Sequence, residues 1–150
     1  MLNKLGIKNV MEASMLPMEK VWIGFGSAMA MHGIKETTKD IDAQCQHDLF
    51  EKLILLGYEV KEAPMGGRMI EYNKYLDLFE NMGEPEGTVF VEGIQTDSLE
   101  KICEWKKARG REKDMVDIAL IKAHLRKRDW VSFFLIFFIS IYYKCELIIN

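Results

Sequence analysis

The chain has 150 residues, 49% hydrophobic and 29% charged, with a formal net charge of −3 and a pI near 5.7. This length suits one globular domain with a real core, and the acidic balance argues against a protein that coats nucleic acid, though a local basic patch could still recognise an RNA end. Three cysteines, Cys45, Cys103 and Cys145, lack CxxC spacing and fit a reducing cytoplasm, and Met1 to Val10 has no long apolar stretch of a secretory signal.

In chain order, a leading helix or irregular arm reaches about Glu19. The apolar run Val21-Trp22-Ile23 predicts a strand over 21–25, and Ala28, Met29, Ala30 and Met31 predict a short helix over 27–32 that closes at Gly33. His32 reads as a packing or capping residue of that helix. A strand over 40–45 follows, then a helix over 47–56 whose apolar face is Leu49, Phe50, Leu53, Ile54 and Leu56. Strands are predicted near 58–62, 69–72 and 75–79, with Gly66-Gly67 as a turn, and a short strand at Val89 to Val91 follows a polar loop over 81–87. Two helices, about Ser98 to Ala108 and Arg111 to Arg126, break at Gly110. The order predicts an α/β (α+β) fold, a mixed β-sheet with helices packed on it.

Chemistry concentrates at a few positions. A strand, the Gly26-Ser27 turn and a helix N-terminus follow one another; free backbone N–H groups there attract phosphate oxygens, and Gly26 lets a ligand approach closely. Asp40 and Asp42 flank Ile41, so in a strand both carboxylates project from one face. Alone they repel, and a magnesium ion removes the conflict. Asp77 in Lys74-Tyr75-Leu76-Asp77-Leu78-Phe79 is the third acid, set among hydrophobes. Two metals on three carboxylates would activate a hydroxyl and neutralise charge on a transferred phosphoryl group. The blander reading of a lone Asp-x-Asp is a solvated strand end. No pair of histidines has zinc-ligand spacing. The basic stretch Lys106, Lys107, Arg109, Arg111 and Lys113 is either a solvated helical corner or a phosphate site: Arg111 and Lys113 stand at a helix N-terminus, where a cation needs an anion nearby. Asp114 and Asp117, on one helix, would orient these cations or cap the first turn.

These residues resemble the nucleotidyltransferase superfamily, in particular its minimal bacterial members, the antibiotic nucleotidyltransferases and toxin or antitoxin proteins. The resemblance covers roughly residues 20–125. Phe25, Gly26, Ser27, Asp40, Ile41, Asp42 and Asp77 fill the pattern of the family, and Ala28 to Gly33 and Gly110 to Ile118 resemble stretches of its toxin-like branch. Phe25 stands where many relatives carry the first of two glycines. The resemblance implies a magnesium-dependent transfer of a nucleoside monophosphate from a nucleoside triphosphate, such as ATP, to a hydroxyl of RNA, protein or a small molecule. Asp40, Asp42 and Asp77 would be catalytic and hold the metal; Gly26, Ser27, Arg111 and Lys113 would bind the nucleotide. The alternative is a non-catalytic antitoxin or partner-binding protein of the same fold, paired with a cognate toxin or antitoxin.

Residues 1–128 are predicted as the nucleotidyltransferase domain and 129–150 as an apolar C-terminal tail. Trp130 to Tyr143 carries no charge, yet is shorter than the roughly twenty residues of a helical membrane span. Arg126-Lys127-Arg128 before it would suit an anchor; a buried strand, terminal helix or oligomer contact is the alternative. Membrane association is not the favoured reading.

Overall fold

The computed structural model describes residues 1–149, with side chains to residue 131 and at 134 and 136. Five helices and seven strands alternate: α1 (Lys4–Ala13), β1 (Val21–Ile23), α2 (Phe25–Met31), β2 (Ile41–Gln46), α3 (His47–Leu55), β3 (Lys61–Glu62), β4 (Arg68–Asn73), β5 (Leu76–Asn81), β6 (Thr88–Val91), β7 (Ile94–Asp97), α4 (Leu99–Arg109) and α5 (Glu112–Ile149). The strands form one mixed sheet in the order β3-β4-β5-β2-β1-β7-β6. Its centre pairs β2 parallel to β5 and antiparallel to β1.

Alternation in β2 sorts the side chains. Ile41, Ala43 and Cys45 are buried in the core, while Asp42, Gln44 and Gln46 lie half-buried on the other face. The core side meets Ile7 and Met11 of α1, Ala28 to Met31 of α2, and Leu49, Phe50 and Leu53 of α3. Sealed there, the Cys45 thiol is pushed up to about 12, mainly by burial, which leaves it protonated. Local chemistry starts the helices: Asn3 accepts from the Gly6 N–H at 2.8 Å ahead of α1, and Ser98 accepts from the Lys101 N–H at 3.2 Å ahead of α4.

Three elements depart from the sequence expectation. β1 stops at Ile23, because Gly24 and Phe25 turn directly into α2. An additional strand, β7, pairs parallel with β1 at Ile23 and Thr96 and carries Asp97 to the end of α2. The helix predicted from Arg111 begins at Glu112 and continues unbroken through the apolar segment. The buried, oligomeric and membrane-associated readings of that segment fall largely on side chains outside the described residues, as does Cys145. Among the described residues no helix is long and apolar enough to cross a membrane.

Candidate active site

The parallel pairing of β2 with β5 places Asp42 directly beside Asp77. Asp40 sits in the bend just before β2, where its carbonyl accepts from the Thr38 hydroxyl at 2.9 Å. The three carboxylates share one field: burial, then Asp40, then Asp77 push the Asp42 carboxyl up to about 6. Asp77 is also raised, first by burial and then by Glu71 and Asp40, with Lys61 and Lys39 opposing. No cation among the described residues offsets Asp42.

Asp42 opens onto a cleft of about 480 Å³ that also receives Gly26, Lys106, Arg109, Arg111 and Lys113. Gly26 stands in the first turn of α2, with open space where a Cβ would project. Ser27 is different. It is buried, its hydroxyl donates to the Gly24 carbonyl at 2.8 Å and accepts the Asp42 N–H at 3.1 Å. Its side chain thus fastens the turn to the strand that bears Asp42. Gly24 allows this close approach: a Cβ there would lie 3.1 Å from Asp97 Oδ2 and 3.2 Å from Gln44 Nε2.

The opposite wall is cationic and built around two aspartates of α5. Asp114 is fully buried and takes both guanidinium groups bidentately, Arg109 at 2.9 and 2.6 Å and Arg111 at 2.8 and 3.2 Å. Lys106 adds a bond of 3.3 Å to Asp114 and one of 2.7 Å to Asp117, which also holds Lys35 at 2.8 Å. Burial works against both charges, but the cations prevail and hold both carboxyls below the ordinary value. Four cations share two carboxylates, so the wall retains positive charge. Lys113 joins the same cleft without a carboxylate partner among the described residues.

Aromatic rings line the space between. Phe25 has a left-handed backbone, φ 54°, which strains a bulky residue and sets its ring 4.5 Å from Trp105 and 5.4 Å from Phe79. The Arg109 guanidinium lies 3.9 Å over the Trp105 ring.

A separate cluster, His47, Glu51 and Glu80, brings three ligating atoms within 4.8 Å of one another, tighter than the aspartate trio. Arg68 already binds Glu51 at 2.5 Å and also pairs with Glu80, so this cluster holds its own cation.

The cleft therefore unites Gly26, Asp42, Arg111 and Lys113, with Asp40 and Asp77 beside Asp42 and Ser27 beneath it. Phe79, Trp105, Gln44 and Asp97 were not anticipated. Phe79 and Gln44 follow Asp77 and Asp42 by two residues and so share their faces. Asp97 is buried, and its carboxyl is raised by burial against the opposing Lys101 and the Phe25 N–H. Lys101 Nζ approaches it to 2.7 Å as an ion pair, not as an aligned hydrogen bond.

No protein-family model matches the chain, and no match is found among curated proteins. Among solved structures it is similar to the crystal structure of ANT(2'')-Ia in complex with adenylyl-2''-tobramycin: 20% identity, 81% of this chain and 88% of that one covered, TM-score 0.54. The solution structure of the same antibiotic-resistance factor gives 19% identity, coverage of 79% and 82%, and a TM-score of 0.54. JHP933 from Helicobacter pylori gives 17% identity, coverage of 83% and 68%, and a TM-score of 0.51. Since ANT(2'')-Ia is an aminoglycoside nucleotidyltransferase, this chain has a nucleotidyltransferase-like fold.

Proposed function

We propose that the protein is a magnesium-dependent nucleotidyltransferase that moves a nucleoside monophosphate from a nucleoside triphosphate to a hydroxyl acceptor and releases pyrophosphate. The observation that carries this reading is Asp42, half-buried between Asp40 and Asp77 with no offsetting cation, facing a cation-rich wall across one cleft. Hard carboxylate oxygens fit magnesium, and Asp40, Asp42 and Asp77 would hold it. When bound, the metal would supply positive charge to the reacting phosphoryl oxygens.

The remaining work belongs to the chain. Gly26 and the start of α2 would receive phosphate oxygens through backbone N–H groups, with Ser27 keeping that turn fixed to β2. Lys106, Arg109, Arg111 and Lys113 would take the triphosphate charge. Asp114 and Asp117 preorganise three of these cations, so the wall is set before ligand arrives. Asp77, beside Asp42, would orient the acceptor hydroxyl and draw off its proton as the oxygen attacks the α-phosphorus and the bond to the pyrophosphate oxygen breaks.

A small-molecule hydroxyl is the first acceptor class to test, since one structural neighbour is seen with an adenylylated aminoglycoside. RNA and protein acceptors, with the toxin–antitoxin role they would bring, come next. One observation favours the non-catalytic alternative: Phe25 holds a bulky ring at the phosphate turn in a strained conformation. The test is incubation with each α-labelled nucleoside triphosphate, magnesium, and pools of aminoglycosides, RNA and protein, beside an Asp40→Ala, Asp42→Ala double variant. Label transfer by the parent alone supports the enzyme and identifies the acceptor class. Binding without transfer supports the non-catalytic protein.

A further inference from the structure

We infer that Phe25 and Phe79, with Met65 of the same cleft, form a seat for the nucleobase that grips the ring by stacking and does not read its edge. This rests on the nucleotide reading of the cleft. Phe25 and Phe79 pack edge to face at 5.4 Å, and both line the cleft beside Asp42 and the cationic wall. Phe79 follows Asp77 by two residues on β5, so its ring stands on the same face as the acid beside which the α-phosphate would lie. Met65 comes from the turn between β3 and β4, is 61% exposed, and still borders the cleft. An exposed, unbranched thioether bordering the same cleft as the aromatic rings is suited to close over a flat ligand.

The occupant follows from charge complementarity. The cations beside the rings take a polyanion, which leaves the apolar compartment to the flat, uncharged end of the same molecule. A nucleoside triphosphate has that division.

The lack of edge reading follows from the neighbouring polar side chains, which are already engaged. The Gln44 carboxamide accepts from Asn81 at 2.7 Å and donates toward Asp97 at 3.4 Å, while Arg68 and Glu80 bind each other. These bonds tie the polar groups to the chain itself, so selection among bases falls mainly to ring area, and every base has a π-face. Purines should bind best and all four triphosphates should bind within about tenfold.

Calorimetry in magnesium with ATP, GTP, CTP, UTP and inorganic tripolyphosphate tests this on the full chain. Phe79→Leu should weaken all four nucleotides by about five- to 100-fold and Met65→Ser by about fivefold, with Phe79→Tyr near the parent and tripolyphosphate unmoved. Met65→Ser alters an exposed side chain, so its effect is readable even if Phe79→Leu fails to fold. Equal changes for tripolyphosphate and nucleotides, no change in nucleotide binding, or a preference above about 100-fold for one base would overturn the seat. Binding of neither nucleotide nor tripolyphosphate would instead overturn the nucleotide reading beneath it.

Discussion

Two sets of aspartates face one another across the cleft, and their surroundings differ in kind. Asp42 is pushed up to about 6 by burial and by Asp40 and Asp77, whereas Asp114, more deeply buried, is held below the ordinary value by Arg111 and Lys106. Burial penalises both, so the partners decide. Asp114 has its counter-charges within the chain and serves to place cations. Asp42 has other acids for company, and its charge is relieved only by a proton or by a cation from solution. The contrast separates a carboxylate that organises a site from one that awaits a ligand.

The largest expected effect comes from removing the waiting acid. Asp42→Asn should lower nucleotidyl transfer by about a thousandfold or more, measured as label transfer under saturating magnesium, because a neutral amide replaces an anionic metal ligand. The opposite set should reveal itself in stability. Asp114→Ala leaves Arg109, Arg111 and Lys106 without their shared anion and should cost about 3 kcal/mol or more in urea unfolding. Asp42→Asn should move the same quantity the other way, stabilising the metal-free protein at pH 8 by roughly 2–3 kcal/mol, since the raised pKa marks an uncompensated charge.

The pH dependence sharpens the distinction. Asp42 has a folded value of about 6 against 3.8, so its contribution is fully present below about 3.8 and is lost as pH rises through 6. Asp114 has a folded value below 3.8, so its contribution is present above that pH and is lost as pH falls through the folded value. Metal-free unfolding curves should therefore lose the decline between about pH 4 and 6 in Asp42→Asn and the decline below about pH 3.8 in Asp114→Asn. The smallest effect lies between the two sets. Phe25→Gly should be about 1 kcal/mol more stable than Phe25→Ala in thermal unfolding, because both delete the ring but only glycine relieves the left-handed backbone.

Much of this was legible from residue spacing. The apolar run at β1 and the Ile41-Asp42 alternation of β2 lie at the sheet centre because each is a local signal with one strong period, whereas Gly26-Ser27 falls in the first turn of α2 and Asp40 in the bend before β2. The proximity of Asp77 to Asp42 required the parallel register of β2 and β5, which the residue pattern suggests but does not determine. β7 is not evident in the sequence because Ile94-Gln95-Thr96-Asp97 is short and mixed. Its signal was the two-residue turn Glu92-Gly93, whose φ values of 51° and 84° match the hairpin turn with both central residues left-handed. The Ser27 hydroxyl could be assigned to the backbone only once β2 was placed against α2. The sharing of Asp114 by Lys106, Arg109 and Arg111 likewise depends on how α4 meets α5 across Gly110.

The most direct measurement is titration calorimetry of a non-hydrolysable nucleoside triphosphate into the parent, Asp42→Asn and Lys106→Met proteins, each with magnesium and with chelator. The parent should bind tightly in magnesium only, Asp42→Asn should lose the magnesium dependence, and Lys106→Met should bind more weakly under both conditions. Binding that ignores magnesium in the parent, or that keeps its full magnesium dependence in Asp42→Asn, would contradict magnesium binding at Asp42.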